Sequence, residues 1–315
     1  MRQDIIYAPE TLRLLICIAH EFHEEVEGVI RQKQARVNAA AVALDAAHAV
    51  AFHTGLGAPL YPTPDTPVAS YLNEERVAQF AEAAYIKPNL AVVADGASQA
   101  TLSKWIEPFF KGVKGESEIK LNTSVSKYFG GETRIAKKGG NAVVIAFPGA
   151  ALGANQPEIA VLAALLGGEP TIKWSPGFSL LTKAVSAAPG AHAQASNFAY
   201  SDTGLFTIQI GGEKGAVGAA AKEAVKALQG VAAGKVAQEE VVKAIAKARF
   251  NLLSMSETGG TGLVHAGASL VSGAQPLQVN ETLKALESVT GEKLKAVSSS
   301  PDGKVLLSKP LTICY

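Results

Sequence analysis

Two stretches of this 315-residue chain repeat each other at an offset of about 216 residues, and that constrains its architecture more than any single motif. EEVEGVIRQKQARVNA begins at Glu24, and EEVVKAIAKARFNLLS begins at Glu239. Further on, His48 is followed by Pro59-Leu60, and His265 is followed at the same spacing by Pro276-Leu277. Each block then reads helix, turn, strand. VASYLNEERVAQFAEAAY leads to NLAVVADGA in the first, and VNETLKALESVTGEKLKAV leads to KVLLSKPLTI in the second. The expectation is two related modules, which the length allows at ~100–200 residues per domain. The copies are unequal, because 23 residues precede Glu24 whereas a long lead from about residue 120 precedes Glu239. The first module is therefore expected to lack its front half. Either that half exists upstream in the cell, or another subunit covers the sheet edge and core face that a half domain exposes.

Between the repeats the pattern alternates strands with long helices. KKGGNAVVIAFPG (Lys137–Gly149) reads as a buried strand after a Gly-Gly turn. NQPEIAVLAALLGG reads as a helix with Asn155 as N-cap, Pro157 in the first turn and Gly167 at the end. GLFTIQIGG (Gly204–Gly212) alternates as a strand. Glu213–Ala233 has Val217, Ala221, Val225 and Leu228 at helical spacing. The next helix, Glu239–Met255, is expected to bury Val242, Ile245, Ala246, Phe250 and Leu253. The fold class expected is α+β: two related domains, each a largely antiparallel sheet with helices packed on it. The boundaries are 1–112 for the C-terminal part of the first repeat domain, 113–127 for a linker rich in Gly, Ser and Lys, and 128–315 for the second repeat domain.

The charge of +1 gives no basic stripe for nucleic acid. The two cysteines, Cys17 and Cys314, make no CxxC pair or disulfide framework. Apolar runs fall far short of the ~20 residues that span a bilayer. MRQDIIYAPE has neither a signal-peptide core nor the composition of a transit peptide.

HEFHEE, His20 to Glu25, invites a zinc reading. The HExxH and HxxEH helices place two histidines four residues apart beside a Glu. Here the spacing is three, and no third ligand announces itself. An acidic helix start, with Glu24 and Glu25 at the positive end of the dipole, explains the stretch better. Asp202-Thr203-Gly204 resembles half of an aspartic-protease pair, but a second triplet is missing, so a turn before the Leu205 strand is expected. Ser124-Val125-Ser126-Lys127 matches SxxK at chance level, and the glycine-rich stretches make no phosphate-binding motif. His48 and His265 occupy equivalent repeat positions, which points to packing rather than chemistry.

Longer stretches carry a family resemblance. YSDTGLFTIQI, ALDAAHAVAFHTGLGAPLYPTPDTPVASYL, AQFAEAAYIKPNLAVVADGA, GGNAVVIAFPG and IKWSPGFSLLTKA are similar to the mitochondrial processing peptidase family, the pitrilysin-like peptidases of inverted zinc motif. The match runs through nearly the whole chain and resembles the family's core-protein branch of respiratory complex III. The resemblance implies a non-catalytic subunit on the matrix side of the mitochondrial inner membrane. Its implied partners are core protein 1, cytochrome b, cytochrome c1, the Rieske iron–sulfur subunit and a second copy of itself. No catalytic, cofactor-binding or metal residue is expected. In the family the third zinc ligand is a Glu on the helix where this chain has Gln32 or Lys33. A carboxamide is a poor zinc ligand, and a protonated amine cannot coordinate. The alternative the family offers is a presequence-binding subunit of the processing peptidase. That subunit would carry a long glycine run where this chain has GGEPTIKWSPGFS, with Gly167, Gly168 and Gly177 interrupted by Lys173, Trp174 and Pro176.

Overall fold

The structure, a computed structural model, describes residues 32, 37–61, 74–119, 125–136, 140–154, 156–168, 177, 179–275, 277–299 and 311–314. In chain order the elements are α1 (Ala39–Phe52), α2 (Glu74–Ala84), α3 (Gln99–Phe110), β1 (Glu132–Arg134), β2 (Asn141–Gly149), α4 (Pro157–Leu166), α5 (Leu180–Val185), β3 (Ala191–Ala199), β4 (Gly204–Gly212), α6 (Lys214–Ala232), α7 (Gln238–Glu257), α8 (Gly259–Val271), α9 (Val279–Glu287), α10 (Gly291–Ser299) and β5 (Leu311–Cys314). Contacts divide them into two units. One takes the described residues of Met1–Val37 and Tyr61–Thr123, and the other takes Asn38–Leu60 and Ser124–Tyr315. The repeat-based boundaries follow sequence, whereas this division follows packing, and it groups α1 with the sheet of the second unit.

That sheet has the order β1-β5-β2-β4-β3. Every pairing is antiparallel except β1 with β5. β2 is central, and its run of apolar residues follows from burial on both faces. Val143, Ile145 and Phe147 point into one core, while Ala142, Val144 and Ala146 point into the other. Across the ladder Val143 meets Ile210, Ile145 meets Ile208 and Phe147 meets Phe206. These cross-strand apolar pairs stabilise the sheet and hold its register. β4 is buried on both faces too, with Leu205 on the side opposite Phe206, Ile208 and Ile210.

Helices α4 to α7, α9 and α10 contribute buried residues to the first core. α4 is apolar all round and buries Ile159, Val161, Leu162, Leu165 and Leu166. Pro157 starts it where a missing N–H costs nothing. Gly167 ends it at φ 71, a left-handed conformation that glycine adopts freely. The residue before Pro157 that flanks the helix is Gln156, and Asn155 lies outside the described residues. α6 buries Val217, Ala220, Ala224, Leu228 and Val231, with Ala221 and Val225 half-buried beside them.

Two sequence expectations change. α7 buries Val241, Ala244 and Ala248, while Val242, Phe250 and Leu253 face solvent. The buried face packs on α4, where alanines permit a close approach that Phe250 would prevent. In the first unit, NLAVVADGA forms no strand. Lys87–Asn89 is a 3-10 turn, Leu90 after it is extended, and residues 90–94 pair with no strand among the described residues. Val92 is consequently exposed. VNETLKALESVTGEKLKAV divides into α9 and α10, with Leu286, Val289 and Leu294 buried.

Lys183 on α5 donates to Glu240 on α7 at 2.9 Å. That hydrogen bond holds the Glu240 carboxyl below its ordinary range. Its contribution is therefore present above the unfolded carboxylate pKa and is lost as pH falls through the folded one. Lys183→Met is expected to cost under about 1 kcal/mol at neutral pH, as for other partly exposed pairs. The difference from the unmodified chain should vanish in acid. Urea unfolding at neutral and acidic pH checks this, and a constant difference across that range would contradict it.

Candidate functional site

The second face of the sheet is covered by α1. Its sequence, AAAVALDAAHAVAF, repeats alanine at Ala39, Ala43, Ala47 and Ala51. On a helix those positions share one face. Lacking bulk, they let the helix axis lie close over Ala142, Val144, Ala146 and Leu205. Asn38 caps the helix by accepting from the Ala41 N–H at 2.8 Å.

His48 sits beside that stripe and is buried. Its Nδ1 lies 2.8 Å from the Leu44 carbonyl oxygen, and its Nε2 lies 2.6 Å from the Tyr200 hydroxyl. A carbonyl only accepts, so Nδ1 carries the proton and Nε2 accepts from Tyr200. Phe52, Phe198 and Tyr200 surround the ring with centroids at 6.2, 5.8 and 5.8 Å. Burial raises the Tyr200 phenol pKa, which keeps it a donor. Tyr128 donates to the Ala146 carbonyl at 3.2 Å, and burial pushes its pKa up to about 12. The arrangement satisfies every polar group it buries and joins helix to sheet. It presents no nucleophile to solvent.

The glycine-bearing stretch of the second unit is anchored at both feet. The Gly167 carbonyl accepts from Ala195 N–H at 2.8 Å, and the Gly168 carbonyl accepts from the Thr182 hydroxyl at 2.8 Å. Ser179 caps α5. Lys173, Trp174 and Pro176 lie outside the described residues, as does HEFHEE. Gln32 is helical and exposed, while Lys33 lies outside them. Among the described residues no three His, Cys, Asp or Glu side chains gather as a metal would need. Asp202 sits in the turn before β4, as expected, and its carboxylate accepts from Ser126 N–H at 2.6 Å. A cavity of about 230 Å³ opens between α6 and α10, bordered by Val231, Gly234, Val236, Gly291 and Lys295. It is smaller than the ~300–1,000 Å³ usual for small-molecule sites.

What the second unit does offer is apolar surface. Val242, Phe250 and Leu253 are exposed on α7, and Val264, Leu270 and Val271 are exposed on α8. These side chains carry apolar surface and no catalytic group. Sequence reading placed the α7 residues in the core, and the α8 residues had carried no signal.

The sequence profile of the family described as Peptidase M16 inactive domain matches residues 71–248, more than half of the chain. Cytochrome b-c1 complex subunit 2, mitochondrial, of Neurospora crassa is 62% identical over 313 residues, which are 98% of this chain and 69% of that protein. The protein of the same name from Cryptococcus neoformans var. grubii is 33% identical over 93% of this chain and 66% of its own length. The chain thus spans about two thirds of the length of these relatives. A chain of Complex III2 from Candida albicans, in its Inz-5-bound structure, superposes with a TM-score of 0.73 at 16% identity, covering 90% of this chain and 72% of that one. That likeness is one of fold, a mixed architecture of helices on a largely antiparallel sheet. The chain belongs to the peptidase M16 family through its inactive domain, in the group that includes proteins named subunit 2 of the cytochrome b-c1 complex.

Proposed function

We propose that this chain is a non-catalytic structural core subunit of mitochondrial respiratory complex III, ubiquinol–cytochrome c reductase. The observation that carries the reading is the 62% identity to the Neurospora crassa subunit across 98% of the chain. It would support assembly and stability from the matrix side, peripheral to the inner membrane. Among the described residues no helix is long and apolar enough to cross a membrane. Its partners are core protein 1, cytochrome b, cytochrome c1, the Rieske subunit and a second copy of itself in the dimeric complex. The modules that make these contacts are bounded, in this reading, at 1–112 and 128–315, with 113–127 between them.

The work is done by surface. Obligate interfaces bury upwards of ~2,000 Å² and are apolar at their centre. The exposed valines, leucines and Phe250 of α7 and α8 supply such a surface. A family zinc does not fit at Gln32, an exposed carboxamide, or at Lys33, a protonated amine, where a carboxylate ligand is needed. No chemical step is assigned to the chain.

Gentle purification of the native assembly through a tag on this chain tests the reading. Peptide mass spectrometry is expected to find the named partners in near-equal amounts. Recovery of the chain with a processing peptidase subunit and without cytochromes b and c1 would overturn it.

A further inference from the structure

Two short motifs that the scaffold reading leaves unused meet in the fold. Ser126 closes the SxxK match with Lys127, and Asp202 opens the Asp-Thr-Gly triplet. The Asp202 carboxylate accepts from the Ser126 N–H at 2.6 Å, across 76 residues of chain. From there residues 126–129 run as a strap along the C-terminal end of α1. The Tyr128 ring meets Phe52 of α1 edge-on at 6.3 Å, while its hydroxyl donates to the Ala146 carbonyl of β2. Phe129 N–H donates to the Ala51 carbonyl at 2.8 Å, which satisfies one of the carbonyls that a helix leaves open at its C-terminus. The Phe129 ring also stacks on His53 at 4.5 Å. His53 stands at φ 61, and Thr54 N–H closes back on the Phe52 carbonyl at 2.7 Å. Such a turn is strained for a residue with a Cβ and persists only where its surroundings hold it.

We propose that the turn between β3 and β4, Tyr200 to Gly204, is a clasp that makes α1 and the strap open and close as one unit on the second face of the sheet. The turn reaches both pieces. Tyr200 donates to His48 of α1 at 2.6 Å, and Asp202 holds the strap. The turn is itself fixed, since Tyr200 N–H donates to the Thr203 carbonyl at 2.8 Å and Leu152 N–H donates to the Tyr200 carbonyl at 2.7 Å. Helix and strap also hold each other. Without Phe129 the end of α1 loses its cap and His53 its stacking partner. The sheet does not depend on them in the same way, because the β2–β4 and β3–β4 ladders run their full length and a separate core fills the other face. Opening is therefore sub-global. It bares the apolar face of Ala142, Val144, Ala146 and Leu205, so the clasp controls when that face can be reached. α1 lies just before the chain passes to the other unit after Leu60, and the strap begins just after it returns at Ser124. The clasp thus sits at those two connections and keeps a pull on either from reaching the sheet.

Amide hydrogen exchange on the full chain, read by mass spectrometry, tests the proposal. Asp202→Ala removes a charge-assisted acceptor and is expected to speed exchange of α1 and of the Phe129 amide together, by about tenfold, with β2 and β4 unchanged. Tyr200→Phe, which removes only the hydroxyl, should speed the same two segments. Asp202→Asn keeps an oxygen that can accept from Ser126, and its exchange should stay within about threefold of the unmodified chain. Faster exchange at the strap alone, or at α1 alone, would show that the two do not move as one and would overturn the proposal. Equal acceleration in β2 and β4 would overturn it too, because the opening would then be that of the whole unit. So would an Asn variant that exchanges like the Ala variant, or an Ala variant that exchanges like its parent.

Discussion

Phe206→Ala lowers the stability of the chain by about 3–5 kcal/mol, the range for truncating a fully buried phenylalanine. Phe206 has no exposed surface, lies on β4 and stands directly across the ladder from buried Phe147. Truncation leaves a void in the core between the sheet and the helices packed on it, α6 among them. Phe250→Ala is the matched control. Phe250 is 67% exposed on α7, so its truncation in the isolated chain should change stability by no more than about 0.5 kcal/mol. Chemical denaturation of the two variants gives both numbers. Equal losses would mean that α7 turns its other face inward, as its apolar periodicity alone suggests.

Gly204→Val has the second large effect, about 3 kcal/mol or more, at the upper end for forced overpacking. Valine suits strands, so local propensity predicts a gain. Packing predicts the opposite. Gly149 and Gly204 are paired where β2 meets β4, and a Cβ on Gly204 would overlap the Ala150 carbonyl oxygen and the Gly149 backbone. Those atoms are held. Asn197 accepts from Ala150 N–H and donates to the Ala150 carbonyl, each at 3.0 Å. The valine must break that clamp or part the strands. A circular-dichroism melt separates the cases, since a variant as stable as its parent would contradict the geometry. Both variants should also lower incorporation into the native assembly, because the sheet carries the helices whose outer faces are proposed to make its contacts.

The central strands were legible because both are bounded by glycines and burial on two faces leaves few polar residues in β2. Their extents match the sequence reading closely at Asn141–Gly149 and Gly204–Gly212. The face of α7 was not legible. Two apolar stripes offset by one residue run along it, and residue size favoured Phe250 whereas helix packing selects Ala244 and Ala248. The seat of α1 was hidden for another reason. Nearly every residue of AAAVALDAAHAVAF is apolar, so no face stands out, and the sheet it covers lies far along the chain. The same distance concealed the His48–Tyr200 bond, whose partners are 152 residues apart with no motif to pair them. The repeat marked His48 as a packing residue, and its contacts agree with that reading.

The reduced-minus-oxidised optical spectrum of the native assembly, purified gently through this chain, tests the scaffold reading most directly. Bands of b- and c-type haem in near-stoichiometric amount with the chain are the expected result. Haem-free material that binds a presequence peptide would contradict the account and point instead to the processing peptidase.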